Sequence, residues 1–182
     1  QVVYGRRLGG NHWLVSRLGS GAAYAYGNSS QVPYSEQFYC GGANSVRAFT
    51  VRSIGPGSYR APADQINGYF DQTGTFTFIA NTEYRFPILG PLHGAVFLDA
   101  GNVWTLKNEP SRPGGQLRAK TFFKDLALGT GVGLRFDISM LVIRGDLGIG
   151  IHAPYDTGKR GYYNMESFKK SLAFHLAIGY PF

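Results

Sequence analysis

The sequence has a single cysteine, Cys40, in 182 residues. That excludes an internal disulfide framework and a thiolate metal cluster. No run of about 18 apolar residues occurs, so a transmembrane helix is excluded. A transmembrane β-barrel is not, because its strands need only about 9–11 residues and show their apolar face at every second position. A long run of like charge is also missing. The net charge is +7, from 18 Lys and Arg against 11 Asp and Glu. The cations stand singly, with no run longer than Arg6-Arg7 or Lys169-Lys170. A nucleic-acid stripe would be clustered, so no nucleic-acid partner is expected. Gln1-Val2-Val3-Tyr4 carries neither an initiator Met nor a basic-plus-apolar leader. That start suggests an excised piece or a processed product.

What is present is glycine, at 26 residues, and aromatics, at 15%. With few helix formers, this composition predicts an all-β chain. Residues 1–10 read as the end of a strand before a turn at Gly9-Gly10-Asn11. Over 12–26, Leu14, Leu18, Ala22, Tyr24 and Tyr26 share one face, and Arg17, Gly19 and Gly21 the other. Over 74–88, Phe76, Phe78, Ala80, Tyr84, Phe86 and Ile88 oppose Thr75, Thr77, Asn81, Glu83 and Arg85. Over 94–106, Val96, Leu98, Ala100 and Trp104 oppose Phe97, Asp99 and Gly101. Over 124–138, Leu126, Leu128, Val132, Leu134 and Phe136 point outward. Asp125, Ala127, Gly129, Gly131, Gly133, Arg135 and Asp137 point inward. A turn near Ser139 leads to 141–153, where Leu141, Ile143, Leu147, Ile149 and Ile151 oppose Arg144, Asp146, Gly148, Gly150 and His152. The last strand, 171–182, places Leu172, Phe174, Leu176, Ile178, Tyr180 and Phe182 on one face.

Strands of roughly 12–15 residues are thus expected, with strict alternation. Short links (89–93, near 139) alternate with long ones (27–73, 107–121, 154–170). That suits an outer-membrane barrel with short periplasmic turns and long external loops. The alternative is a soluble β-sandwich or lipocalin-like barrel, whose outside would be rich in Lys and Glu. The polar face here is Gly, Ala and Arg–Asp, which fits a tight lumen better. A loop as long as 27–73 without regular structure is usually functional.

That loop holds Gly41-Gly42-Ala43-Asn44-Ser45-Val46-Arg47-Ala48-Phe49. A buried arginine needs acidic partners, and Glu83 and Asp99 lie at inward positions of the next two strands. Arg135, Asp137, Arg144 and Asp146 are further lumen polar groups, and an ion pair among them is a better reading than chemistry. Gly129, Gly131 and Gly133 share one strand face with no helix behind them. They are read as space for the loop rather than a nucleotide cradle. Asp99-Ala100-Gly101-Asn102 lacks the downstream glutamate of a calcium loop. His12, His93, His152 and His175 are scattered, and no Ser/His/Asp set converges, so no catalytic residues, cofactor or metal are expected. Trp104, Tyr84, Tyr180 and Phe182 are candidates for interfacial aromatic belts.

Val46-Arg47-Ala48-Phe49 resembles the Val-Arg-Gly-Phe/Tyr loop motif of the BamA/TamA-like outer-membrane barrel assembly factors. Glu83-Tyr84-Arg85-Phe86-Pro87 is similar to the strand after that loop. Phe97-Leu98-Asp99-Ala100-Gly101 resembles the family's Phe-x-Asp-x-Gly strand. Gly131-Val132-Gly133-Leu134-Arg135-Phe136 and the aromatic end after Gly179-Tyr180-Pro181 also fit. The likeness runs from about residue 38 onward and departs at Ala48, where the family usually carries glycine. The resemblance implies an antiparallel transmembrane barrel of about sixteen strands. Residues 1–182 would supply the C-terminal six or seven, without the N-terminal strands and the periplasmic POTRA repeats. It implies a lumen-inserted extracellular loop, 27–73, locked by Arg47 and Phe49 on Glu83 and Asp99. It implies a lateral seam at Gly179, Tyr180 and Phe182, where client strands add by backbone pairing. The implied location is the outer membrane of a Gram-negative cell. The implied partners are its lipid, client β-barrel or exported proteins, and periplasmic or lipoprotein accessory subunits. An isolated fragment with open sheet edges is expected to self-associate. Two other functions are carried. A two-partner secretion translocator would have two POTRA repeats, and a passive porin-type channel would conduct steadily whatever stands at position 47.

Overall fold

The structure is a computed structural model and describes residues 1–29, 31–62, 72–138 and 140–182. Seven antiparallel strands form the main sheet: β1 (Val2–Gly9), β2 (His12–Ala22), β5 (Phe76–Leu89), β6 (Leu92–Trp104), β7 (Ala127–Asp137), β8 (Val142–His152) and β9 (Leu172–Ile178). Their order in space is β1-β2-β5-β6-β7-β8-β9, so β1 and β9 are its two edges. Two short strands, β3 (Phe38–Tyr39) and β4 (Thr73–Gly74), pair with each other inside the long connection between β2 and β5. One four-residue helix, α1 (Phe168–Ser171), leads into β9. No helix among the described residues is long and apolar enough to cross a membrane, which says nothing of strands.

The sheet is inside-out by the standard of a water-soluble domain. Leu98 is 49% exposed and Leu134 53%, while Glu83, Asp99, Arg135 and Asp146 are fully buried. Strict alternation produces this, since successive side chains point to opposite faces. The register aligns the inward positions across the sheet. Arg17, Asn81, Asp99 and Gly129 form one row, and Val15, Glu83, Phe97, Gly131 and Gly148 the next. An apolar outer face and a charged, glycine-rich inner face define an antiparallel transmembrane barrel wall.

Links between strands differ sharply at the two ends. Gly9 and Gly10, with φ of 128° and 52°, turn β1 into β2, and Gly90, with φ 53°, turns β5 into β6. The expected turn at Ser139 and the part of the long loop over 63–71 lie outside the described residues.

The first strand spans Val2–Gly9 and runs into the turn at Gly9 and Gly10. Several sequence expectations need correction. Tyr24 and Tyr26 lie beyond the end of β2, and Asp125 lies before β7. Trp104 is fully buried rather than membrane-facing, because Phe122 stacks on it with ring centroids 5.1 Å apart. His152 does not face inward. The β7–β8 pairing passes from Gly129↔Gly150 to Leu128↔His152, leaving Ile151 as an extra residue. That bulge returns His152 to the outer face beside Leu128. The last strand stops at Ile178, so Gly179, Tyr180 and Phe182 are not part of it. Gly179 adopts φ +86°, the left-handed region, and the chain after it turns toward the lumen, where Pro181 and Phe182 meet Arg17.

Candidate functional site

Residues 41–49 form a compact turn. The Gly42 amide donates to the Phe49 carbonyl at 2.9 Å, Ser45 N to Gly42 O at 3.0 Å, and Phe49 N to Val46 O at 3.2 Å. Gly42 has φ +97°, and a Cβ there would run into the Val51 side chain. The turn projects Arg47 onto the inner face of the sheet.

Arg47 is fully buried. Its Nε and Nη2 donate to the two oxygens of Asp99 at 2.8 and 2.9 Å, a two-pronged pairing, and its own backbone N–H donates to Asp99 Oδ2 at 3.0 Å. Nη1 pairs with Glu83 Oε2. The guanidinium carbon sits 3.6 Å from the centre of the Phe97 ring. Burial alone would lower the Arg47 pKa. The hydrogen bonds and charge of Asp99, then Glu83, outweigh it and hold Arg47 above its ordinary value, so it stays cationic.

The acids are shared, and Asp99 also accepts from Asn81 Nδ2 at 2.7 Å. Glu83 also receives Arg135 Nη2 at 2.8 Å and Arg85 Nε at 2.7 Å. Asp146 receives Arg135 Nη1 and Arg144 Nη1, each at 2.7 Å. A planar guanidinium with several donors can bridge carboxylates in this way where an ammonium cannot. The turn's backbone is clamped as well. Arg17 Nη2 donates to Asn44 O at 2.8 Å, Asn81 Nδ2 to Ser45 O at 2.7 Å, and Arg144 Nη1 to Ala43 O at 2.9 Å. Four strands, β2, β5, β6 and β8, therefore grip the tip of one loop.

Room for that tip comes from glycine. A Cβ on Gly148 would meet the Arg47 carbonyl and lie 2.6 Å from Ala48 Cα, and a Cβ on Gly129 would meet the Ala48 methyl. Ala48, where the resembling family usually has glycine, is accommodated because its methyl occupies the space over Gly129. Phe49 takes no part in the ion pairs. It packs in an apolar cluster with Cys40, Val46, Ile54, Val103 and Met165.

The structure thus brings Arg47, Glu83, Asp99, Arg135, Arg144 and Asp146 into one network. Asp137 lies apart from it, at the short-turn end, where the Tyr180 hydroxyl stands 3.3 Å from Oδ2. Tyr180 lies against Arg85, 4.3 Å from guanidinium carbon to ring centre. Phe182 turns inward, with its ring centre 5.0 Å from the Arg17 guanidinium and 5.9 Å from that of Arg47. Arg17, Asn81, Arg85 and Phe97 belong to the site although the sequence reading did not assign them to it. Their signal was available, since all four occupy inward positions beside Glu83 and Asp99. Among the described residues no group of His, Cys, Asp and Glu is arranged to hold a metal ion. Every carboxylate of the network faces arginine, which suits positioning of a loop.

Residues 7–182 match the profile of the family described as the Omp85 superfamily domain. The outer membrane protein assembly factor BamA of Neisseria meningitidis serogroup B is 31% identical over 107 residues, covering 54% of this chain and 13% of that protein. The fold is similar to the crystal structure of BamA from Haemophilus ducreyi lacking POTRA domains 1–3. The TM-score is 0.63 at 18% identity, over 97% of this chain and 34% of that one. The chain spans about a third of that structure and a smaller share of the curated relative.

Proposed function

The chain belongs to the Omp85 superfamily, and on that premise we propose that it is the C-terminal part of a barrel that inserts or exports client proteins at the outer membrane of a Gram-negative cell. The reading is of a non-enzymatic device. The loop over 27–73 is the extracellular plug of the lumen, with POTRA repeats and the remaining strands completing the whole protein. Strand β9, and the turn after it at Gly179, Tyr180 and Phe182, form one side of a lateral seam. A client strand adds to the seam edge by backbone hydrogen bonding, which an unpaired strand edge offers without further chemistry. Client β-barrel or exported proteins, outer-membrane lipid and periplasmic accessory subunits are the partners of this reading.

One observation carries the proposal: Arg47, buried on Asp99 and Glu83 inside a membrane-facing sheet. Removing one partner of a buried ion pair costs about 3–5 kcal/mol, because it leaves uncompensated charge. The test is Arg47→Ala in the full-length protein, assayed for planar-bilayer conductance and for insertion of an unfolded client into liposomes. The expected result is an insertion rate lower by about tenfold or more and an open-channel current higher than wild type. Steady wild-type conductance unchanged by the substitution, with insertion also unchanged, would favour a passive channel and end this reading.

A further inference from the structure

The long-loop end of the outer face carries a feature that the plug and seam do not use. The loop between β6 and β7 ends in a tight turn in which Thr121 N donates to Arg118 O at 3.1 Å and Asp125 N to Thr121 O at 2.8 Å. Phe122 of this turn lies against Trp104 and Phe78, with centroid distances of 5.1 and 5.3 Å. It thereby presses the turn onto the outer surface. Phe123 beside it is 80% exposed. The loop between β8 and β9 reaches the same place. His152, turned outward by the bulge, has Nε2 3.0 Å from the Lys124 carbonyl and Nδ1 2.9 Å from the Tyr162 carbonyl. The Tyr162 ring stacks on His152 at 5.1 Å and is 66% exposed. His152 therefore joins the two loops, with one ring N–H donating to a loop carbonyl and its face stacked on Tyr162.

That surface is cationic and aromatic. Lys120 and Lys124 come from the first loop, and Lys159 and Arg160 from the second. All four are exposed, and none has an ion-pair partner among the described residues. Of the nearby acids, Asp125 is buried and bonded to Thr121, and Asp156 Oδ1 accepts the Gly158 amide within its own loop. Exposed aromatics beside unpaired cations, on the apolar side of a membrane sheet, match the boundary between acyl chains and anionic headgroups.

We infer that this clasped pair of loops is a docking surface for phosphate-bearing lipid headgroups of the leaflet at the long-loop end. Lys120, Lys124, Lys159 and Arg160 meet phosphate, and Phe123 and Tyr162 enter the acyl boundary. The inference rests on the barrel orientation proposed above, with the long loops outside.

The test uses the full-length protein in detergent, titrated by native mass spectrometry with lipid A carrying both phosphates, with its dephosphorylated form, and with phosphatidylethanolamine. Phosphorylated lipid A is expected to bind at least about tenfold more tightly than the other two. The variant K120Q/K124Q/K159Q/R160Q is expected to lose that preference while its heat-modifiable gel shift stays that of a folded barrel. His152→Ala, which releases the clasp, is expected to weaken the preference partially. Equal binding of phosphorylated and dephosphorylated lipid, or full preference in the quadruple variant, would overturn the proposal. So would equally tight, salt-sensitive binding of soluble heparin, which would point to a soluble polyanion. Orientation is read separately, by labelling Asn108→Cys, an exposed position of the β6–β7 loop outside the proposed lipid contact, in intact cells with a membrane-impermeant maleimide. No labelling there would fault the barrel orientation, whereas labelling with no lipid preference would fault this inference alone.

Discussion

At the scale of the residue, the contact between Ala48 and Gly129 is the most exacting in the site. The Ala48 methyl fills the space that a Cβ at 129 would need. Gly129→Ala is therefore expected to unseat the loop tip, with an overpacking cost of about 1–3 kcal/mol. Ala48→Gly is expected to be well tolerated, and the double change should recover most of the loss, because one methyl has only moved across the contact. Heat-modifiable gel shift and loop proteolysis on the four proteins of this cycle would measure it. Additive losses, with no recovery in the double variant, would show that the two residues do not share space. The sequence made part of this legible. Arg47, Glu83 and Asp99 were readable as a triangle, because alternation placed both acids on the inner face and a buried guanidinium requires them. Gly129 was readable as room for a loop. The clamping of the turn by Arg17 and Asn81 was not, although both stand at inward positions and Asn81 also donates to Asp99, because the carbonyls of Asn44 and Ser45 that they hold leave no trace in residue type. Phe49 looked like part of the lock by adjacency. It takes no part in the ion pairs, but it is buried in an apolar cluster that includes Val103 of β6 and Ala127 of β7.

At the scale of the element, alternation gave the strands and failed at their ends. Strands β5 to β8 were readable to within a few residues, since apolar and polar positions alternate through them. The bulge at Ile151 was hidden, because an inserted residue keeps the apolar character of its neighbours while shifting the phase of the residues after it. The end of β9 was hidden for a similar reason. Tyr180 and Phe182 continue the apolar period beyond Ile178, but Gly179 turns the chain aside. The Gly179 amide donates to Val142 O at 2.7 Å. Proline at this position removes that donor and fixes φ near −65°, which is incompatible with the observed turn. Gly179→Pro in the full-length protein is thus expected to displace Tyr180 and Phe182 from Arg85 and Arg17 and to lower client insertion several-fold. Wild-type insertion by this variant would remove β9 and its tail from the proposed seam.

At the scale of the whole molecule, the exposed apolar face and the two free edges govern behaviour. Neither β1 nor β9 has a partner on its outer side in the described sheet, and unpaired strand edges cannot be left in lipid. Purified alone, the chain is expected to require detergent and to form particles larger than one copy, as read by light scattering with far-UV circular dichroism. A monodisperse monomer in plain buffer would mean that the apolar residues face inward, against the burial described above.

The grip on Arg47 also has a consequence in time. Its partners lie at positions 83 and 99, and the clamps on its turn at 17, 81 and 144. None of them is near it in the chain, so the loop cannot seat until strands made early and late have all found their neighbours. A slip of one residue along β5 or β6 would carry Glu83 or Asp99 to the lipid side and leave the arginine stranded. Seating of the loop is therefore a closing step that only a correctly threaded wall can complete, and the finished lock is a record that β2, β5, β6 and β8 are in place.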